Sequence, residues 1–400
     1  MNKNINEIKV GFYFNNSKYS DVDFSTPYLG NPGIGGTEHM FSLVSYYLAN
    51  YTNVYIFTNH IGKLANNTVN IAVNNFEEAL LEADKLNIDY LICRSFGNKE
   101  SYVLTKKYNC KIIIWAHNFT KFKELNWICK CENVIKYICV GKNQQDLLIG
   151  HPIYKKSTYI YNGLNLSNYK ITNSNKNNSI CYIGAVNKNK GFDICCKTWR
   201  RLYDSGYDLD FNIIGSAKLY NSKKILGEYG IATPEYEKEF INYITSNGKL
   251  IDKVKICGVL GHEDKINVIN NSTFGISASQ EETFGLVAVE FETLGRPFIA
   301  KSNCGFKDTV ENGKTGVLVS SDDELYDACV KTINSNENEY KNMSSECIEF
   351  SKKFDINLII NDWIDTFNEL EFSKETIQNK QRVSFLKRIV NNINLIINKR

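Results

Sequence analysis

Four hundred residues exceed one ordinary core, and at about 150 residues per domain they make two or three domains. With 43% hydrophobic and 23% charged residues the chain can bury substantial cores, which excludes wholesale disorder, collagen-like repeats and a membrane channel. The 47 basic and 44 acidic residues nearly balance, but residues 373–400 hold seven Lys/Arg and one acid; a tail of +6 on a body of −3 is no protein-wide nucleic-acid surface.

The opening stretch reaches Gly11 with a short apolar run and no small-residue cleavage pattern, so it reads as a first strand and not as a signal peptide. Apolar runs rich in Val, Ile, Tyr and Phe recur from that strand onward: Lys9–Phe14, Asn53–Thr58, Tyr90–Cys93, Lys111–Ala116 and Tyr137–Val140, separated by helical patterns. Continuous hydrophobic strands alternating with helices predict a parallel sheet covered on both faces. A polar stretch, Lys170 to Ser179, then interrupts the alternation and reads as an interdomain linker. The pattern restarts at Ile180–Ile183, Phe211–Ile214, Val254–Val259, Phe274–Ala278, Pro297–Ala300 and Gly316–Val319. The expected fold is α/β, with two doubly wound Rossmann-like domains at 1–168 and 169–352, and a ligand beyond the strand carboxyl ends, in the cleft that both would share.

An amphipathic helix is expected over 354–371, and another over 377–397, where Val383, Leu386, Ile389, Val390, Ile393, Ile396 and Ile397 keep helical spacing opposite Lys380, Arg382, Lys387 and Arg388. A basic amphipathic helix can lie on an anionic bilayer, and an ordinary docking helix or dimer contact has the same pattern. No apolar stretch approaches the roughly 18–20 residues of a transmembrane helix. The twelve cysteines are scattered without a CxxC pair and read as buried reduced thiols, in keeping with a cytoplasmic protein.

The chemistry concentrates in residues 281–290. Glu282 follows the strand Phe274–Ala278, Gly285 opens a helix running to about Leu294, and Glu290 lies three or four residues from Leu286, Val287 and Leu294, so its carboxylate is on the inward face, while Glu292 points roughly the other way. A buried unpaired carboxylate is costly, so Glu290 needs a partner; ribose hydroxyls or an arginine would both serve. Gly285 and the free amides after it make an anion site suited to a diphosphate. Taken singly, each glutamate is better read as an N-cap acid or a salt-bridged helix residue; together the set reads as carboxylate, phosphate cradle, carboxylate.

Glu282 and Glu290, seven residues apart around Phe284-Gly285, make the chain resemble the retaining GT-B type glycosyltransferases of family 4. The resemblance extends over most of residues 9–370. Gly35-Gly36-Thr37-Glu38 resembles the family's first glycine-rich loop, Trp115-Ala116-His117-Asn118 its His-Asp site with Asn for Asp, and Asn162-Gly163 its Asn-Gly turn. Lys190-Gly191 resembles the Lys-Gly opening of the second domain's first helix, and Gly295-Arg296-Pro297 the Gly-x-Pro turn. The resemblance implies that Glu290 accepts from the nucleotide ribose, Glu282 binds donor-sugar hydroxyls and Lys190 compensates the diphosphate, with the Gly285, Leu286 and Val287 amides assisting. Gly35, Gly36, Asn162 and Phe284 would complete the donor site, and His117 would face the donor sugar. One departure stands out: where the family places an arginine, this chain has Ala185, with Lys188 the nearby cation available to substitute.

No metal is expected. Asp21-Val22-Asp23 follows a polar loop and Asp208-Leu209-Asp210 precedes a strand, neither placed as a diphosphate-metal site requires, and the five histidines show no paired ligand spacing. The resemblance implies a retaining transferase moving sugar from a nucleoside diphosphate sugar to a saccharide or lipid-linked acceptor in surface-polysaccharide synthesis, metal-independent for the reasons just given; the basic helix 377–397 offers peripheral contact to an anionic membrane, and the charge balance gives no nucleic-acid partner. A GT-B fold sugar-nucleotide epimerase and a non-catalytic sugar-nucleotide-binding protein are the alternatives; acceptor-independent turnover marks the first, and binding without turnover the second.

Overall fold

The computed structural model describes residues 3–372 except 20, 174, 220–222 and 304, so the expected helix over 377–397 lies outside the described residues. The chain divides into two compact units. The first comprises 1–28, 37–163 and the segment from Ile356 onward; the second comprises 29–36 and 164–355.

In the first unit seven strands, β1 (Lys9–Tyr13), β2 (Asn53–Thr58), β3 (Val69–Ala72), β4 (Tyr90–Cys93), β5 (Lys111–Ala116), β6 (Val134–Cys139) and β7 (Ser157–Tyr159), form one parallel sheet in the order β3-β2-β1-β4-β5-β6-β7. Its helices are α1 (Gly36–Leu48), α2 (Phe76–Lys85), α3 (Lys99–Leu104), α4 (Phe122–Lys130) and α5 (Lys142–Asp146). The central strands are apolar throughout because both faces are covered: β4 is buried at all four positions and β5 at all but Lys111. The edge strands β3 and β7 were not expected; β3 has no fully buried residue, and β7 is a short polar strand, so neither carries a hydrophobic run.

The second unit repeats the plan. Strands β8 (Ser179–Ile183) and β9 (Asp210–Ile214) are followed by a small hairpin, β10 (Thr245–Ser246) with β11 (Lys249–Leu250), then by β12 (Val254–Gly258), β13 (Phe274–Ser277), β14 (Phe298–Lys301) and β15 (Gly316–Val319). The parallel sheet runs β12-β9-β8-β13-β14-β15. Its helices are α6 (Phe192–Asp204), α7 (Pro234–Ile244), α8 (His262–Asn270), α9 (Leu286–Thr293), the single turn α10 (Phe306–Thr309), α11 (Asp322–Asn334) and α12 (Glu337–Ser351). The direction of strand addition reverses between β8 and β13, and this reversal positions a ligand crevice at their carboxyl ends.

The final helix, α13 (Ile356–Phe372), belongs to the first unit. Its buried face is Ile356, Ile359, Ile360, Trp363, Thr366 and Phe367, with the Trp363 indole edge-on to Trp115 at 5.0 Å. Among the described residues the cysteines are unbridged, and no helix is long and apolar enough to cross a membrane.

Two expectations change. The polar stretch 170–179 is part of the second unit: the crossing between units falls at Gly163/Leu164, and the stretch is fastened by the buried guanidinium of Arg296. Arg296 donates to the Asn175 carbonyl (2.7 Å), the Asn270 carbonyl (2.7 Å), the Tyr340 hydroxyl (3.0 Å) and the Asn173 carbonyl. Glu292, expected to point outward, is fully buried because α12 packs against α9; its Oε1 accepts from Thr315 at 2.5 Å, and burial holds its carboxyl well above the usual range. Replacing Arg296 by Met removes the donor to three carbonyls, of which that of Asn270 is on a buried residue, so the second unit should lose about 1–3 kcal/mol. Urea unfolding checks this as a lowered midpoint at constant slope.

Candidate functional site

A cavity of about 200 Å³ opens at the reversal point of the second sheet. It is built by the segment 29–36, the end of β8, the turn into α6, the chain beyond β9 and β12, Lys265 of α8, and the loop from β13 into α9.

Beyond β8, Tyr182 donates its hydroxyl to the Ala185 carbonyl at 2.9 Å, which folds Gly184-Ala185 back under the cavity. Ala185 is 2% exposed and brings no charge. The following turn is capped by Asn187, whose Oδ1 accepts from the Lys190 amide at 3.0 Å. Gly191 then adopts φ +62° as the N-cap of α6, and a Cβ there would sit 2.1 Å from the Ala278 carbonyl oxygen. Only glycine permits this approach of the α6 entrance to the end of β13. The loop after β13 is pinned in turn: the Gln280 amide donates to the Asn189 carbonyl (2.8 Å), Asn303 to the Ser279 carbonyl (2.8 Å) and the Gly305 amide to the Glu282 carbonyl (2.8 Å). Gly285, at φ +87°, turns this loop into α9, so that Leu286 and Val287 of its first turn, where helix amides lack intrahelical acceptors, line the cavity.

The structure brings Lys190, Glu282, Gly285, Leu286, Val287, Glu290 and Gly36 together around this space. Lys190 Nζ meets Glu282 Oε2 at 2.7 Å, with both side chains partly exposed to the cavity. Glu290, 6% exposed, is paired on Oε1 with Lys265 Nζ at 2.5 Å, and the Tyr169 hydroxyl donates to the same oxygen at 3.3 Å. The lining thus carries two lysines and two glutamates.

The partner that Glu290 required is therefore Lys265, which the sequence reading missed. Its signal was its place beside Ile266 and four residues before Ile269, on the apolar face of α8, where a lysine demands a counter-charge. Lys188 does not supply the missing second cation: it is exposed and bound to Glu239 and, at 3.9 Å, Asp193.

Segment 29–36 contributes Asn31, Gly33, Ile34 and Gly36 as a wall. Asn31 folds it, accepting through Oδ1 from the Gly33 and Ile34 amides at 2.9 and 2.8 Å. Gly35 is buried and does not line the cavity. Phe284 is likewise turned away, its ring edge-on to Phe354 at 5.5 Å.

His117 and Asn162 lie in the first unit. His117, just past β5, is 7% exposed between Trp115 (4.3 Å) and Phe41 (5.7 Å). Burial, and secondarily the Arg94 charge, hold its imidazole well below the usual pKa, so the ring is neutral at pH 7. Asn162 is buried at the end of the unit's second segment. A separate cavity of about 200 Å³ in this unit lies between the ends of β1 and β4, lined by Tyr13, Asn15, Glu38, Arg94 and Phe96 among others; Arg94 pairs with Glu38 at 3.1 Å. Among the described residues, no three His, Cys, Asp or Glu side chains are grouped as metal ligands.

Residues 167–354 match the family model for group 1 glycosyl transferases. That match covers the second unit's cavity except for the wall from 29–36. Among curated proteins, no sequence matches the chain. Several solved structures share the fold. HepE from Anabaena, crystallised with UDP and glucose, is 16% identical, with 91% of this chain and 100% of that one aligned at a TM-score of 0.68. Sucrose-phosphate synthase from Thermosynechococcus elongatus is 16% identical over 91% and 99% of the two chains, at 0.70. The lipopolysaccharide outer core galactosyltransferase WaaB is 16% identical over 92% and 100%, at 0.61. The fold is that of the GT-B glycosyltransferases.

A side chain at Gly285 would enter at positive φ and meet the Phe306 ring at 2.7 Å, tilting the α9 amides. Gly285→Ala should therefore cost about 1–3 kcal/mol of stability, read as a lowered midpoint in thermal unfolding.

Proposed function

We propose that the protein is a glycosyltransferase that takes its sugar from a nucleoside diphosphate sugar. The observation that carries this reading is the convergence of Lys190 and the amide end of α9 on one cavity whose flanks are Glu282 and Glu290. A diphosphate needs cationic charge and directed N–H groups, and the sugars on either side of it need acceptors for their hydroxyls. The group 1 match over 167–354 supports the same assignment. UDP-sugars are the first donors to assay, because HepE holds UDP and glucose.

As the donor's glycosidic C–O bond breaks, charge grows on the β-phosphate. Lys190 and the Leu286 and Val287 amides would stabilise it without a metal, which lowers the barrier because they are already oriented. Binding requires Lys190 to share its ammonium between the Glu282 carboxylate and the phosphate, and leaves Glu282 to accept donor-sugar hydroxyls. With Glu282 Oε2 held by an ammonium, its carboxylate is a poor nucleophile. Retention by front-face attack, with the departing diphosphate taking the acceptor's proton, is the route consistent with that pairing. Glu290 is assigned to the ribose, and His117 keeps the role toward the donor sugar that the family resemblance implies.

The acceptor is proposed to be a saccharide or a lipid-linked saccharide of a surface polysaccharide, as the fold likeness to WaaB favours. It would use the first unit's cavity, where Tyr13 and Phe96 are among the lining residues and the Arg94–Glu38 pair offers a donor and an acceptor to its hydroxyls. An anionic membrane remains the proposed peripheral partner.

The test is turnover of UDP-glucose, UDP-galactose and their GDP and ADP counterparts with saccharide acceptors, and the anomeric configuration of the product read by NMR. Lys190→Ala should lower kcat by about a hundredfold with smaller change in KM, as for a group that acts on the leaving diphosphate. Unchanged kinetics would reject that role. EDTA should leave the rate unaltered; a loss restored by manganese rejects the metal-free reading.

A further inference from the structure

Lys265 has no part in the recognition motifs, yet it is half of the most deeply buried ion pair at the cavity: its side chain is 9% exposed and that of Glu290 7%. A buried ion pair seldom adds net stability over an apolar pair of equal volume, so its presence calls for another account. The geometry gives one. Lys265 from α8 and Tyr169 from the segment preceding β8 both engage Glu290 Oε1. Both contacts fall on one oxygen of a residue that lines the cavity.

We propose that Lys265 is a positioning residue for nucleoside recognition: with Tyr169 it holds Glu290 by Oε1, so that Oε2 accepts the ribose hydroxyls of a bound nucleoside diphosphate. This rests on reading the cavity as a nucleoside diphosphate site. Three consequences follow from the charge balance. With the ammonium present, the carboxylate is compensated although it is almost wholly out of water. With it removed, burial favours the neutral carboxyl, which has lost one acceptor oxygen and can accept less from a diol. With a guanidinium in its place, the compensation returns. The other groups facing this carboxylate are the Tyr169 hydroxyl and the His262 imidazole, whose ring stands edge-on to Tyr169 at 5.0 Å; burial, then the Lys265 charge, hold that imidazole below its usual pKa.

The experiment is calorimetric titration of the full chain with UDP, GDP and ADP, followed by the tightest of them and its 2′-deoxy counterpart, on wild type, Lys265→Met and Lys265→Arg, from pH 8 to pH 6. Lys265→Met should bind the ribonucleotide about tenfold or more weakly, and the 2′-deoxynucleotide with a smaller loss, so that discrimination between the two narrows. The variant-to-wild-type affinity ratio should fall further as pH drops, because protonation removes the acceptor. Lys265→Arg should recover most of the binding. Adding His262→Asn to Lys265→Met should leave the pH slope in place; a slope abolished by that change assigns it to the imidazole and overturns the proposal. Equal losses for both nucleotides with no pH slope make Lys265 a phosphate counter-charge or a packing residue, and also overturn it. If Lys265→Met does not fold, Lys265→Gln carries the same test. No binding of any of the three nucleotides by wild type overturns the reading of the cavity itself, whereas wild-type binding with an indifferent Lys265 variant overturns only the role of Lys265.

Discussion

Charge taken out of water must be matched, and at this cavity the matching is done pairwise. Lys190 with Glu282 and Lys265 with Glu290 leave the charged lining near neutral before any ligand arrives. The two pairs differ in what they can do next. The Lys190 pair is open to the cavity, so its ammonium can be shared with a phosphate at little desolvation cost. The Lys265 pair borders the cavity but is nearly buried, and exchanging its partner would strand a charge at about 3–5 kcal/mol. One couple is therefore built to yield and the other to stay. An arginine at position 185 would have made the lining cationic; Ala185 leaves it balanced.

Scaffold rigidity around this balance comes from backbone contacts more than from side chains. Gly191 lets the entrance to α6 press on the end of β13, and three amide or carboxamide donors fix the loop that carries Glu282. Arg296 does the same for the polar stretch 170–179 from behind the sheet, converting a composition typical of loose linkers into a fixed edge of the second unit.

The parallel sheets were legible in the sequence because their central strands are buried on both faces and read as unbroken apolar runs; β4 and β5 are examples. The edge strands β3 and β7 were not, since half-exposed or very short strands leave no such run. At the site, Glu282, Gly285, Glu290 and Lys190 stood out because carboxylates and a glycine at fixed spacing around a helix start have a local geometry. Lys265 did not, because its meaning depends on a residue 25 positions away. Glu292 misled for a related reason: helical spacing tells which face a side chain occupies, but only the packing of α12 shows that the second face is covered as well. Phe284 sits within the most specific motif and still turns inward on Phe354, so membership in a motif did not fix which way its side chain points.

The short segment 29–36 separates spatial from sequential modularity. It walls the cavity of the second unit, yet the chain on both sides of it, up to Tyr28 and from Thr37, belongs to the first. A fragment cut by composition, starting near the Asn-rich stretch and ending before the final helix, would hold every motif residue of the second unit and lack a side of its own binding chamber. The gene's linear order thus hides a dependency: the second unit is completed by residues encoded within the first, and the first by a helix encoded after the second.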